Sequence, residues 1–356
     1  MSVTARPVAT VAAPLGPLPA APPWPAVLPG GRWTVVQQGD AEVAVGGVRV
    51  PAPWPRRFGE VAVAPGLVVF TGTHAVRAVA ADGTTVWEVR HGCWVCGEVH
   101  PSFAAYADDP DHDSPDGGSA AFGADGALLW AHVRGPLEGD ADLTDDQELW
   151  LVLDAATGRV LGRAATDTVA SGSLHTPDPD PARMGLSVGQ GEEGSPALRG
   201  RWDGRELVVE WREEEWVLLA TSPSGRRLLA VDTGQWSLYL LEADGGKVLA
   251  ELDAEGTVPP PPGDGSRVHW DFDAAFLDEE TLLVGTSESD RGSGLARHWL
   301  VDVRPGAVPE LTLRGAVAYP VGSAVAGPVR AAGGGTWATV AADGGALHRW
   351  ELSREA

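Results

Sequence analysis

The segment HGCWVCGEVH, residues 91 to 100, carries the side chains best suited to chemistry. Cys93 and Cys96 have the spacing of a metal-binding knuckle. His91 and His100 flank this pair, so the four side chains could complete a tetrahedral zinc site. A strong zinc motif has two spaced cysteine pairs, whereas the chain has 2 cysteines in all. Three interpretations stay open: two free thiols, which the single pair favours, a zinc site, or a redox pair.

Histidines and carboxylates gather in the predicted connections between strands. Acidic residues lie beside histidines in the segments DDPDHDSPD and HWDFD, which begin at residues 108 and 269, and in TPDPDP, which follows His175. Loops are ordinarily polar, and this is the favoured explanation; a converging metal or acid–base site is the alternative. For such a site the sequence offers His100, His175, His269, Asp109, Asp178 and Asp271.

The chain has 15 tryptophans, and most of them fall within predicted strands, where their rings would pack in the core. Three lie in predicted connections and are therefore candidates for ligand contact: Trp94, Trp236 and Trp270. Together with the polar candidates, the predicted partner-binding set is His100, His112, His175, His269, Asp271, Trp94 and Trp270.

The element that must position these residues is a repeated strand pair. In ELWLVLDAATGRVLGR, residues 148 to 163, large apolar residues alternate, a turn follows at Asp154 to Gly158, and a second strand returns. Weaker copies occupy residues 76–89, 237–252 and 336–352. Such repetition is typical of radially arranged sheets. We predict an all-β propeller of about seven four-stranded blades, with six as the alternative.

Two segments carry a resemblance to known repeat families. SPSGRRLLAV, residues 222 to 231, followed by SLYLLEADGGKVL, resembles a WD-repeat blade, and LVLDAATGRVL, residues 151 to 161, is similar to the repeat of PQQ-like propellers. The Gly-His pair of WD repeats is missing, and Trp-Glu replaces Trp-Asp at residues 87–88 and 350–351. The resemblance implies a β-propeller and implies no cofactor.

The composition divides the chain into an arm and one domain. Residues 1 to 31 are rich in alanine and proline and predict a flexible arm, whereas residues 32 to 353 predict a single propeller. We expect the early strands, between Trp33 and Val50, to pair with the C-terminal strands between Thr336 and Leu352 and so close the ring.

The charge and cysteine content exclude several classes of partner. The net charge of −23, without a basic stripe, disfavours nucleic acid and anionic membranes. We find no signal peptide and no apolar run long enough to span a membrane. Two cysteines do not make a disulfide framework, so a cytoplasmic location is expected.

The lengths of the predicted connections indicate where function lies. Short Asp-Gly and Ser-Gly turns fall at one end of the predicted blades, whereas the long connections at residues 90–118, 134–147, 165–183, 253–269 and 287–297 fall at the other. A repeat protein that elaborates one face is expected to bind there.

No phosphate loop or nucleophile elbow occurs in a suitable setting, so the sequence leans against an enzyme. The sequence therefore predicts a cytoplasmic scaffold for a protein or peptide, with a small molecule as a further ligand class and no cofactor. The alternative is a metal-dependent or acid–base hydrolase or lyase, with a His/Asp site at the central channel of the same face.

Overall fold

The computed structural model describes residues 2–17, 20–54, 58–113, 117–141, 147–260, 267–286, 297–306, 309–320 and 325–353. In these ranges the chain forms 28 strands and three short 3-10 turns. The strands are β1 Ser2–Ala12, β2 Trp24–Val27, β3 Trp33–Gln38, β4 Glu42–Val45, β5 Val48–Pro51, β6 Phe58–Ala64, β7 Leu67–Gly72, β8 Ala75–Ala80, β9 Thr85–Arg90, β10 Ala120–Phe122, β11 Leu128–Arg134, β12 Glu148–Asp154, β13 Val160–Ala165, β14 Gly172–Pro177, β15 Arg183–Gly189, β16 Ala197–Trp202, β17 Leu207–Glu213, β18 Trp216–Thr221, β19 Arg227–Asp232, β20 Ser237–Glu242, β21 Val248–Asp253, β22 Trp270–Phe276, β23 Thr281–Thr286, β24 His298–Arg304, β25 Glu310–Ala318, β26 Val325–Gly333, β27 Thr336–Ala341 and β28 Ala346–Leu352.

These strands form five four-stranded sheets and one sheet of eight strands. The eight-stranded sheet consists of two blades, β22 to β25 and β26 to β28 with β1, which meet where β1 runs parallel to β25. The count is therefore seven blades, and the prediction of an all-β propeller is confirmed. The chain forms two compact units, the first at residues 1–27, 31–39 and 215–356 and the second at residues 28–30 and 40–214. No helix in the described part of the chain has the length and apolarity needed to cross a bilayer.

The repeated strand pair forms because both of its faces are buried. In β12, Leu149, Leu151 and Leu153 join one apolar cluster. Trp150 and Val152 point the other way and join a second cluster. Each fully buried apolar side chain of this size stabilises the fold by about 1.5–3 kcal/mol.

The turn after β12 explains the Asp-to-Gly spacing seen in the sequence. The Asp154 carboxylate accepts hydrogen bonds from the Thr157 amide at 2.9 Å and the Thr157 hydroxyl at 2.8 Å. Gly158 has φ +70°, and a Cβ atom there would lie 2.6 Å from the Trp87 ring. The Trp87 indole donates to the Ala155 carbonyl at 2.9 Å. Glycine is required because the turn docks on the tryptophan of the preceding blade.

The structure differs from the predicted flexible arm over residues 1 to 31 in two places, because residues 2–12 and 24–27 form strands. Residues 2–12 form β1, which pairs antiparallel with β28 and lies at the edge of the last blade. Strand β2 pairs with β3. The closure prediction is corrected accordingly, because β1, rather than the strands between Trp33 and Val50, pairs with the C-terminal strand. Backbone pairing orders this Ala-rich segment although few of its side chains are buried.

Two further boundaries differ from the predictions. The predicted connection 165–183 contains β14, so the connection itself covers only residues 166–171. The sequence of residues 316–319 predicts the first strand of the last blade, but residues 316–318 instead extend β25, which pairs there with β1. Of the predicted connection 287–297, all but Arg297 lies outside the described residues.

Connection lengths follow the predicted asymmetry within each unit. In an antiparallel four-stranded blade, the first and third connections lie at one end, here called the turn end. The second connection and the link to the next blade lie at the other, here called the loop end. In the second unit the turn end has connections such as 65–66, 81–84 and 203–206, whereas the loop end has 91–119 and 135–147.

Candidate functional site: a folded insertion with a Cys/His cluster

The insertion of residues 91–119 links β9 to β10 and begins as a short hairpin attached to its own blade and the next. Isolated bridges pair His91 with Leu137 and Gly92 with Val99. The Gly92 amide donates to the Pro136 carbonyl at 2.8 Å. The Trp94 amide donates to the Thr73 carbonyl at 3.0 Å. These bonds fix the start of the insertion to two other connections of the loop end.

The Cys-X-X-Cys segment forms a tight turn at the tip of this hairpin. The Gly97 amide donates to the Cys93 carbonyl at 2.8 Å, and Gly97 has φ +79°. Cys93 is buried and Cys96 is exposed, and both thiols are free. Burial raises the pKa of the Cys93 thiol to about 11, although the backbone amides of Val95 and Cys96, which donate to its sulfur, oppose this rise. The turn thus presents both sulfurs on the same side of a short loop.

Two 3-10 turns, Phe103–Ala105 and Pro110–Asp113, bring the chain back to the cysteines. The Cys96 sulfur lies 3.2 Å from His100 Nε2. His112 is buried, and its Nδ1 lies 2.9 Å from an Asp109 carboxylate oxygen. The Tyr106 ring stacks on the His112 ring with centroids 4.9 Å apart. These contacts place the His100 and His112 rings beside the cysteine turn.

A hydrogen bond between the Tyr106 and His74 side chains also connects the insertion to its blade. The Tyr106 hydroxyl lies 2.6 Å from His74 Nδ1, and both residues are buried. His74 belongs to the connection between β7 and β8, at the loop end of the same blade. The insertion is therefore a folded part of the second unit.

Four side chains of the insertion form a potential metal-ligand group: Cys93, Cys96, His100 and His112. One donor atom of each lies within 4.8 Å of the others, and this is the one such group found in the described ranges. Burial, reinforced by His112, lowers the pKa of His100, so its imidazole is neutral at pH 7. A neutral imidazole has a lone pair for a metal ion.

Of the predicted ligand set, the structure brings Cys93, Cys96 and His100 together, whereas His91 lies outside this group. His91, expected as a ligand, is buried, and its Nδ1 lies 2.7 Å from the Gly92 carbonyl oxygen. His112 is the fourth member of the group, and its Nδ1 lies beside the Asp109 carboxylate. Sequence reasoning missed this role because His112 stands in an acidic segment twelve residues beyond His100. The one available signal was the three-residue spacing between Asp109 and His112.

His175 was predicted as a contact residue and as part of an acid–base site, but the structure gives it a structural role. The Trp150 indole N–H, which can only donate, lies 3.1 Å from His175 Nε2, so this nitrogen is the acceptor. Nδ1 therefore carries the proton of the neutral ring and donates to the Ser119 hydroxyl at 2.8 Å. His175 cannot take a proton from Ser119 in this arrangement, because its basic nitrogen faces Trp150.

The buried position of His175 predicts a dependence of stability on pH. Burial lowers the pKa of His175 to about 3. As pH falls below about 6.5, the unfolded chain gains a proton that the folded chain does not, so stability decreases. We expect the free energy of unfolding to fall by up to roughly 1.4 kcal/mol per pH unit from this residue between about pH 6 and 4.5.

Urea unfolding at a series of pH values measures this slope. In His175→Asn the slope of the unfolding free energy against pH should be shallower than in the wild-type protein. The difference should be at most the slope that uptake of one proton on unfolding produces. Equal slopes in the two proteins would show that His175 is accessible to solvent protons in the folded state.

Asp178 forms a buried ion pair. It was predicted, like His175, as part of an acid–base site. Its carboxylate accepts a hydrogen bond from the Arg199 guanidinium. The side chains of Arg199 and Asp178 are 0% and 1% exposed. A carboxylate held by an arginine and shielded from solvent has no route to a substrate.

Three further predicted contact residues lie in the interior. Trp94 is 7% exposed, Trp270 is fully buried and Asp271 is 6% exposed. The Trp270 indole donates to the Leu252 carbonyl at 3.1 Å. These side chains stabilise connections and strands, and a surface partner cannot reach the two tryptophan rings.

His269, by contrast, lies partly exposed in a small cluster of the first unit. Its ring centroid is 4.2 Å from that of Trp236. The Arg267 guanidinium lies 4.9 Å from the Trp236 ring centroid. His269 Nδ1 lies 3.2 Å from the Gly234 carbonyl oxygen. This cluster offers a cation and two aromatic faces at the loop end of that unit.

Comparison with known proteins gives the fold of the chain. No family model matches the sequence, and no curated protein matches it. The structure is similar to that of U3-55K, with a TM-score of 0.54 at 11% identity over 92% of this chain and 94% of that chain. It is similar to the RRP9 WD40 repeats, with a TM-score of 0.52 at 10% identity over 95% and 99% of the two chains. A complex of KlAtg21 with the coiled coil of AgAtg16 gives 0.51 at 8% identity over 80% and 82%.

These similarities confirm the resemblance to WD-repeat propellers at the level of the fold. At such identities they carry no information on the ligand or partner of this chain. The resemblance to PQQ-like repeats stays a prediction.

Proposed function

We propose that this protein is a scaffold that binds a protein or peptide partner at the loop end of its blades, with the insertion of residues 91–119 as the main contact surface. The observation that carries the proposal is the folded insertion itself. It buries Cys93, Trp94, Tyr106 and His112, so it is a surface of defined shape. A partner that binds a preformed surface does not have to order a flexible loop, which favours affinity.

The charge of the insertion indicates the chemistry of the partner. Its exposed side chains include Asp108, Asp109 and Asp111, and the whole chain has a net charge of −23. A basic segment would be attracted to this surface, with an association rate that decreases as salt increases. The complex of KlAtg21 with a coiled coil is a case in which a similar propeller has a protein partner. That similarity supports the proposal by analogy alone.

We also propose a cytoplasmic location. Cys93 and Cys96 are free thiols separated by two residues in the chain, and thiols persist most readily in a reducing compartment. Fractionation of cells that produce the protein tests this location.

Site-specific photocrosslinking tests the surface. A photoreactive benzoylphenylalanine at exposed positions of the insertion, Ala104 or Asp108, should give a discrete adduct with one partner in the native host. The same amino acid at exposed turn-end positions of the same unit, Ala81 or Arg205, should give none. Adducts from the turn-end positions alone would place the partner at the opposite end of the blades and overturn the proposal.

Once the partner is captured, a charge reversal measures the contribution of the insertion. Asp108→Lys should weaken binding about tenfold, roughly 1.4 kcal/mol, mainly through a slower association rate. The matched control is Glu206→Lys, which makes the same charge change at an exposed turn-end position and should leave the affinity within about twofold. Equal losses in the two variants would mean that only the net charge of the protein matters.

A further inference from the structure

We propose that the insertion binds one structural Zn²⁺ ion through four side chains: Cys93, Cys96, His100 and His112. Two thiolates and two imidazoles are a common donor set for structural zinc. Four protein ligands leave no open coordination position, so the ion would hold the fold of the insertion and would not activate a substrate. The proposal is independent of the partner-binding function, because the metal content can be measured without a partner.

The distances between the donor atoms suit a tetrahedral ion. With Zn–S bonds of about 2.3 Å and Zn–N bonds of about 2.0–2.1 Å, neighbouring donors lie roughly 3.3–3.8 Å apart. The donor atoms of the four side chains all lie within 4.8 Å of one another, and Cys96 Sγ is already 3.2 Å from His100 Nε2. Side-chain shifts of about 1 Å would complete the tetrahedron.

The surroundings of two ligands have the features of a zinc site. His112 Nδ1 lies 2.9 Å from the Asp109 carboxylate, which directs the Nε2 lone pair to the metal. Carboxylates commonly orient metal-bound histidines in this way. At the cysteine pair, the Gly97 amide donates to the Cys93 carbonyl at 2.8 Å, and Gly97 has φ +79°. This tight turn holds Cys93 and Cys96 close together, as the Cys-X-X-Cys turn of a structural zinc site does.

The two other interpretations of the cysteine pair account for fewer of these contacts. Free thiols or a redox pair require nothing of His100, His112 or Asp109. The chain instead uses two 3-10 turns and the stacking of Tyr106 on His112 to bring both imidazoles to the cysteine turn.

Metal analysis of the purified full chain tests the proposal. Protein produced in zinc-supplemented medium and purified without chelators or a histidine tag should contain close to one zinc per chain. Replacing the zinc by Co²⁺ should give thiolate-to-cobalt charge-transfer absorption and the intense visible bands of tetrahedral cobalt. Cys93→Ser with Cys96→Ser should abolish both signals. Zinc content that is equal in this variant and the wild-type protein, or negligible in both, would overturn the proposal.

A pair of histidine variants tests the ligand set. His112→Asn should lose the metal, whereas His91→Asn should keep it, because His91 lies outside the donor group. The reverse result would overturn our assignment of the fourth ligand.

Limited proteolysis of the wild-type protein tests the zinc proposal without any variant, so it can be used even if the variants fail to fold. Removal of zinc by a strong chelator should speed cleavage within residues 91–119 at least tenfold, and added zinc should reverse this. Cleavage that does not respond to metal would overturn the structural role.

Discussion

Deleting residues 1–13 is expected to unfold the last blade and to convert most of the protein to aggregate. The deletion removes β1, which pairs with seven residues of β28 and with three residues of β25. It would leave both strands with exposed edges, and exposed edges pair with other chains. If residues 1–13 were instead part of a flexible arm, the deletion would have a mild effect, so the soluble yield and the melting temperature of the truncated protein distinguish the two views.

Two point substitutions in β1 test the same closure with a matched control. Ala5 is 1% exposed and packs in a cluster with Trp337 and Trp350, whereas Val8 is 44% exposed. Ala5→Asp should lower the free energy of unfolding by about 3–5 kcal/mol, because it buries an unpaired charge. Val8→Asp introduces the same charge on the same strand and should change stability by about 0.5 kcal/mol or less. Similar unfolding midpoints for the two variants would mean that β1 is not packed in solution.

The reason that β1 escaped prediction is physical. In SVTARPVATVA only Ala5 is fully buried, so the strand lacks the alternation of large apolar residues that identified β12. Proline disfavours the interior of a strand, and Pro7 lies at an irregularity in the pairing with β28. Proline is tolerated at such positions of an edge strand. The strand is ordered by its partner strands, and its own sequence carries little of that information.

Strand β14 escaped prediction for a related reason. Its buried positions include His175 and Thr176, which read as loop residues in a sequence. Their polar atoms have partners that become adjacent only in the fold: His175 contacts Trp150 and Ser119. Hydrophobic alternation can therefore reveal strands whose buried side chains are apolar. It misses strands whose buried side chains are polar and hydrogen-bonded.

The candidate site was predictable in part. The cysteine spacing identified the turn at residues 93–96 and the neighbouring His100, because the donors are close in the sequence. The role of His112 depends on the path of residues 101–111, which two 3-10 turns and the Tyr106 contacts determine. Spacing alone could not distinguish His112 from His91, which flanks the cysteines but has its Nδ1 beside the Gly92 carbonyl.

Asp178→Asn is expected to lower the free energy of unfolding by about 3–5 kcal/mol, because it leaves the Arg199 guanidinium buried without its counter-charge. Asparagine keeps the shape of the side chain and can still accept the Asp180 amide, which lies 2.7 Å from an Asp178 oxygen. The loss of unfolding free energy would therefore measure the effect of removing the negative charge of Asp178. Asp180→Asn is the matched control, since the Asp180 side chain is 53% exposed, and it should cost less than about 1 kcal/mol.

A double substitution separates the ion pair from the remaining contacts of Asp178. In Asp178→Asn with Arg199→Met no buried charge remains, so we expect most of the lost stability to return. Denaturant unfolding of the wild-type protein, of the single variants Asp178→Asn and Arg199→Met, and of the double variant measures the coupling between the two residues. If Asp178 were instead a catalytic acid or base, the single substitution would leave stability nearly unchanged. An unfolding free energy within about 1 kcal/mol of the wild-type value would thus contradict the structural role and revive the acid–base hypothesis for this residue.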